Sequence, residues 1–451
     1  MLRSLFKSNK VGSAPAAAPE AASAPTAVTA PVAPVPAAPT IQPGTPAAIA
    51  QARAQLEARP GDFDALLGLG RELAYAAHHA EAESCLRGAL ALRPASQETL
   101  HLLGYALKML GRFDEALAAG RLAAASEAGA SHTRVLLAQQ LFLTGQYREA
   151  FLHFRARAGI NGALPAWTQA LPRWQGEPLE PLRLLVWLDW GGIGDELMFA
   201  RYVPELLRRY RPAELHWNAL PQNRRLLALI PGVTQVFDAV ATLAVERHIP
   251  LLELPCLFGT DAASIPAPAA YLASDPADRA AWAQRVADLA GLKVGLCWAS
   301  GHWKSDPEFE RDRLARSLPF ECCAPLLALS GTSFVSLQKG EPGRPGLRDF
   351  DAELADMAHT AALIEQLDLV VSVDTSVAHL AAALGKPVLL LAASGIGLFW
   401  GPRARTPWYP SMRIIRQARP GAWEEEIAQA TALLQGWAQR GQVDLFEGLA
   451  A

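Results

Sequence analysis

"LVVSVDTSVAHLAAALGKPVLLL" spans residues 369–391. An apolar run, Leu369 to Val373, stops at Asp374-Thr375-Ser376. An Ala/Leu-rich stretch follows, Gly385-Lys386-Pro387 closes it, and Val388 opens a second apolar run. The pattern predicts strand, helix, strand. An acid and two hydroxyls stand where strand gives way to helix, with His379 one turn further on. Residues of this kind cap orphan helix N–H groups. The same place in an open parallel sheet is also where ligands bind.

The alternation extends outward from this stretch. Upstream, "LRLLVWLDW" (182–190), "AELHWNAL", "QVFDA", "IPLLELP", "LKVGLCWAS" and "TSFVSLQKG" read as strands. Between them "GGIGDELMFARYVPELLRRY" reads as a turn and one helix, and "ADRAAWAQRVADLAG", "FECCAPLLAL" and "HTAALIEQLD" as helices. "GAWEEEIAQATALLQGWAQ" is an amphipathic helix near the C-terminus. Strands alternating with helices imply parallel sheets covered on both faces. Two sets predict two Rossmann-like α/β domains, 182–291 and 292–451, facing a cleft.

Residues 46–160 have a different period. Windows beginning at Phe63, Gln97 and Ser131 are spaced by 34 residues. Their eighth positions are Gly70, Gly104 and Ala138, and their twentieth are Ala82, Ala116 and Ala150. Ala77, Gly111 and Gly145 mark a turn. Period, small residues and turn match tetratricopeptide helical hairpins. The predicted fold class is therefore an α-solenoid followed by α/β domains. Residues 161–181 read as a linker. Residues 1–45 read as a disordered tether, because residues 11–45 are almost all Ala, Pro, Ser, Thr and Val with repeated prolines.

Composition narrows the function classes. A net charge of −3 carries no general nucleic-acid or membrane footprint. Five cysteines in no metal-ligand spacing suit a reducing cytoplasm. No apolar run is long enough for a transmembrane helix.

Several segments together resemble the GT-B glycosyltransferases of the heptosyltransferase-like family, in the version fused to tetratricopeptide repeats. They are "GGIGDELMFARYVPELL", "VGLCWAS", "RSLPF", "FVSLQKG", "TAALIEQLDLVVSVDTSVAHLAAALGKPV" and "PWYPSMRIIRQ". The layout also resembles that of O-linked N-acetylglucosamine transferase. The resemblance implies a metal-independent enzyme with no cofactor, taking a sugar from a nucleotide-sugar donor bound mainly by the C-terminal domain.

The resemblance also implies site residues. Asp374, Thr375, Ser376 and His379 would hold the donor, its diphosphate at the helix N-terminus. Gln338 and Lys339 after one strand, and Lys304 after another, would contact the nucleotide or the leaving diphosphate. Asp195 in "GGIGDE" would be the general base for the acceptor hydroxyl. Gly192 and Gly194 would let the backbone approach the sugars. Trp408 and Tyr409 would either line the donor pocket or anchor their loop. "DFD" at 349–351 reads as surface acids rather than a metal pair.

The expected function is transfer to a protein acceptor docked on the repeats, for which a bacterial surface protein such as flagellin is one suitable class. Two alternatives stand beside it. One is an inactive GT-B scaffold that binds protein partners; the other is an enzyme acting on glycan or lipid-linked acceptors.

Overall fold

The computed structural model describes residues 44–126, 131–160, 165–237, 244–301, 307–395, 397–441 and 443–449. The tether expected at 1–45 thus lies almost wholly outside the described residues, as does Lys304. The chain divides into two compact units, Met1–Pro94 and Ala95–Ala451. The division falls inside the repeat array, after the first hairpin.

The first unit holds helices α1 (Pro46–Ala58), α2 (Phe63–Tyr75) and α3 (His79–Leu92). The second opens with α4 (Gln97–Met109), α5 (Phe113–Ser126), α6 (Ser131–Leu143) and α7 (Tyr147–Phe154). Helices α2, α4 and α6 begin at the three window starts read from the sequence. Each hairpin turn has a left-handed residue: Ala77 at φ 64°, Gly111 at 75° and Gly145 at 78°. That geometry lets His78, Arg112 and Gln146 donate their N–H to the carbonyls of Leu73, Leu107 and Leu141 at 2.8–3.0 Å, closing each helix end. The small positions allow the hairpin helices to touch. A methyl group on Gly70 would lie 2.8 Å from Leu86 Cγ.

Two parallel sheets follow. The first contains β1 (Arg183–Trp187), β2 (Glu214–Asn218), β3 (Gln235–Phe237) and β4 (Arg247–Pro250), ordered β3-β2-β1-β4. The second contains β5 (Leu292–Cys297), β6 (Thr332–Ser336), β7 (Leu369–Val373), β8 (Val388–Ala392) and β9 (Met412–Arg416), ordered β6-β5-β7-β8-β9. All their pairings are parallel, with Val371 opposite Leu389 and Leu296 opposite Val371. Both β7 and β8 are buried along their whole length, because helices cover both faces.

Three local features differ from the sequence reading. "IPLLELP" is strand only to Pro250 and then winds into short helical turns. The helix after β1 is broken into α8 (Ile193–Phe199) and α9 (Tyr202–Tyr210). Pro204 explains the break: it lacks an N–H, and its ring would strike the carbonyl of Ala200. Strand β9 was not foreseen.

The later hairpins are part of the core of the second unit. Phe142 packs edge-on against Phe399, and Phe151 against both Phe199 and Trp408. Just after α7, Arg157 is buried with Asp189 at 2.8 Å and Glu253 at 3.1 Å. Those carboxylates lie just beyond the C-terminal ends of β1 and β4, where the first sheet changes direction.

Candidate active site

The Asp374 turn sits at the C-terminal end of central strand β7. Thr375 is the N-cap of α12 (Ser376–Ala383), with extended backbone and no side-chain cap bond. Its hydroxyl instead lies 3.0 Å from Ser372 Oγ and 3.7 Å from Cys297 Sγ. Among the helices between α9 and α12 are α10 (Pro276–Arg285) and α11 (Met357–Ile364). The free N–H groups of the first turn of α12 thus have no capping oxygen from Thr375, and the dipole there favours an anion.

Gln338 is buried beside this turn. Its Oε1 accepts from the Ala299 N–H at 2.9 Å and lies 3.5 Å from Cys297 Sγ. Burial pushes the Cys297 thiol up to about 11, so it is no nucleophile at neutral pH. Lys339 turns to the surface, where it is 62% exposed and pairs with Asp351 Oδ1 at 3.3 Å. Asp349 and Asp351 accept from the N–H groups of Gly343 and Gly340, as loop acids do.

Opposite stands α8. Gly191 takes a φ of 94°, and the Gly192 N–H donates to Asp195 Oδ2 at 2.8 Å. Gly194 allows the two domains to meet: a methyl group there would lie 2.8 Å from His379 Cδ2 and 3.3 Å from Ser376 Cα. Asp195, the next residue, is close enough to the turn that opens α12 for the charge of Asp374 to act on it. Burial there raises its pKa to about 6, and the charge of Asp374 adds to the rise. The Gly192 N–H and Arg316 oppose it. A carboxylate so placed is ionised at pH 7 yet basic enough to take a proton.

Glu196, next in the same motif, is turned away. Asn223 Nδ2, Leu220 N–H and Trp217 Nε1 donate to it at 2.8, 3.1 and 3.2 Å. Burial raises it to about 7. Its oxygens are engaged in holding the loop after β2, so its role is structural.

His379 is buried against the turn, its Nε2 3.9 Å from Asp374 Oδ1 and its Nδ1 3.0 Å from Tyr409 Oη. Burial lowers it to about 4, so the ring is neutral at pH 7. Tyr409 is 3.2 Å from Tyr271, whose hydroxyl donates to the Leu197 carbonyl at 3.0 Å. A polar chain thus runs from the Asp374 turn to the helix carrying Asp195. Arg201, at the α8–α9 corner, stacks on Tyr271, Trp408 and Tyr409 and donates to the Trp408 carbonyl.

The structure therefore brings together Gly192, Gly194, Asp195, Gln338, Asp374, Thr375, Ser376 and His379. Tyr409 stands behind His379. Trp408 is fully buried among Tyr147, Phe151, Phe199 and Phe399, anchoring its loop. Sequence reasoning did not single out Arg316, although it lies in the quoted "RSLPF" context, nor Arg416. The Arg416 guanidinium is pushed down to about 10 by burial, with Asp374 opposing the shift.

Among the described residues no three metal-ligating side chains gather, and no helix is long and apolar enough to cross a membrane.

Residues 348–430 match the model of glycosyltransferase family 9 (heptosyltransferase). That span includes the Asp374 turn, His379, Tyr409 and Arg416; Asp195 lies outside it. The chain is 30% identical over 302 residues to Protein FlbA of Caulobacter vibrioides, a match covering 59% of this chain and 48% of that protein. It thus spans about half the length of this curated relative. The ADP-heptose heptosyltransferase II of E. coli is similar at 15% identity and a TM-score of 0.40, covering 56% of this chain and all of that one. A family 9 glycosyltransferase from Veillonella parvula is similar at 9% identity and a TM-score of 0.41, covering 60% and 92%.

Proposed function

We propose that the protein is a glycosyltransferase that moves a sugar from a nucleotide-sugar donor to an acceptor hydroxyl. The observation that carries the reading is the confrontation of Asp195 with the N-terminus of α12, made possible by Gly194. The donor diphosphate lies on the N–H groups and hydroxyls of Thr375 and Ser376. Asp374 accepts from donor hydroxyls. The acceptor oxygen attacks the anomeric carbon while Asp195 takes its proton. The bond to the diphosphate breaks, and its electron pair leaves with the diphosphate. The helix N-terminus and Arg316 offset the accumulating charge, so the reading calls for no divalent ion.

The acceptor we put forward is a protein docked on the repeats, the generic use of such arrays, with a bacterial surface protein such as flagellin as one class. A second reading, a glycan or lipid-linked acceptor, is favoured by the burial of the later hairpins in the core, which gives them a structural task. Five free thiols suit a cytoplasmic site of action for either.

The test is a thermal-shift screen with ADP, GDP, UDP and CMP, since a ligand of the folded state raises its midpoint. The donor reading requires at least one of them to do so; a response to none contradicts it. Labelled sugar from the matching donor then separates the acceptors, appearing in the protein fraction or in the lipid and glycan fractions.

A further inference from the structure

We propose that Gly395 is a positioning residue through which the repeat hairpins hold the donor turn. Gly395 follows β8 and takes a φ of 67°. A methyl group on it would lie 2.4 Å from Met109 Cα and 2.6 Å from the Lys108 carbonyl oxygen. The loop backbone therefore rests directly on the last-turn backbone of α4. The neighbouring contacts repeat the pattern. A methyl group on Gly111, the hairpin turn itself, would lie 3.6 Å from Ser394 Oγ, and one on Gly401 would lie 3.4 Å from the Leu143 carbonyl oxygen at the end of α6. The Phe399 ring meets Phe142 of α6 edge-on at 4.9 Å.

The other side of the same loop touches the site. Gly397 is near enough that a methyl group there would lie 3.1 Å from Asp374 Oδ2. The Trp400 ring is 5.0 Å from His379. Arg416 clamps the loop by donating to the Ala393 carbonyl at 3.0 Å and the Gly401 carbonyl at 2.5 Å, with its guanidinium 5.9 Å over Phe113 of α5. Close-packed interiors transmit displacement instead of absorbing it. A shift of α4 against Gly395 thus reaches the wall of the Asp374 turn within two residues. The repeats set the geometry of the donor site even where no acceptor is bound.

The inference rests on the reading of the Asp374 turn as the donor site, and the test separates the two. Gly395→Ala is compared with Gly421→Ala. Gly421 has a φ of 82° and nothing within 4 Å of an added methyl group, so both changes strain the backbone but only the first presses on α4. Amide exchange of residues 374–383 is measured well below the melting midpoint, together with the Kd of whichever of ADP, GDP and UDP binds the native chain most tightly. Gly395→Ala is expected to raise both exchange and Kd by about tenfold, the scale of a sub-ångström misplacement of a binding group. Gly421→Ala should change neither. Should Gly395→Ala not fold, Phe399→Leu loosens the same loop without a backbone clash and should move both readouts by about threefold in the same direction. Exchange or affinity equal to that of the Gly421→Ala control overturns the proposal. If the native chain binds none of the three diphosphates, the donor reading falls, and the exchange comparison alone decides whether Gly395 links repeats to turn.

Discussion

Replacing Arg157 by methionine tests whether the repeats are built into the sheet domains. Arg157 is 1% exposed and pairs with Asp189 and Glu253, which are 3% and 4% exposed. Removing one partner of such a buried pair costs about 3–5 kcal/mol, because a desolvated charge is left behind. Glu253 keeps Arg155 at 2.9 Å and Arg173 at 3.0 Å, so the loss falls mainly on Asp189. The low end, about 3 kcal/mol, is therefore expected. The sign of the pH dependence follows. Burial already holds the Asp189 carboxyl above the usual range, with Arg157 opposing the rise. In Arg157→Met that opposition is gone, so the folded variant binds a proton more readily than the folded native chain. Its deficit should be larger at pH 8 than at pH 5. Urea unfolding at the two pH values, followed by tryptophan fluorescence, measures this. A loss under about 1 kcal/mol at pH 8, or one independent of pH, refutes the reasoning. By the same argument, a fragment starting at Leu182 loses Arg155, Arg157 and Arg173 together and is not expected to fold.

Thr375→Val removes a hydroxyl from the proposed phosphate site and should raise the nucleoside diphosphate Kd by about tenfold, at the cost of one charge-assisted hydrogen bond, as titration calorimetry would show. With Asp195 near 6, kcat/KM should fall about tenfold per unit below pH 6 and level off above pH 7; a flat profile from pH 5 to 8 removes Asp195 as the base. Asp195 and Glu196 are both raised, to about 6 and about 7, so the folded state holds their protons more tightly than the unfolded one. Stability should accordingly decline as pH rises from about 4.5 through 7, and Glu196→Gln should flatten that decline in melting midpoints. Sugar transfer should persist in EDTA if, as proposed, Arg316 and the α12 N-terminus offset the charge of the leaving diphosphate; loss of the rate on chelation, restored by a divalent ion, would contradict this.

The sequence patterns reached the repeat boundaries and the strand–turn–helix unit because both are local. Phe63, Gln97 and Ser131 open helices through a 34-residue period, and Asp374 to Ser376 mark a chemical change at the end of an apolar strand. Strand β9 was hidden because "MRIIR" is short, edge-located and carries an arginine at each end of its apolar pair. Arg157 in "FRARAG" reads as a solvated charge; its partners lie far away in sequence. Phe142 and Phe151 looked like ordinary repeat core, and only the tertiary fold reveals that they also pack against Phe399 and Trp408. Lys339 shows the reverse case: a strand-end lysine that fits a phosphate by position is engaged by Asp351 at the surface.

Asp195 is proposed as the base of a transfer reaction whose donor binds at the Asp374 turn. Slow hydrolysis of the nucleotide sugar, with water in place of the acceptor, reads this without knowledge of the acceptor. Asp195→Asn can still accept from the Gly192 N–H, which is 2.8 Å from the native carboxylate, so the turn should stay intact. Nucleoside diphosphate release should slow by about a hundredfold to ten-thousandfold, with donor Kd within about threefold of native. Release by Asp195→Asn at close to the native rate would contradict it and leave Asp195 as a helix cap.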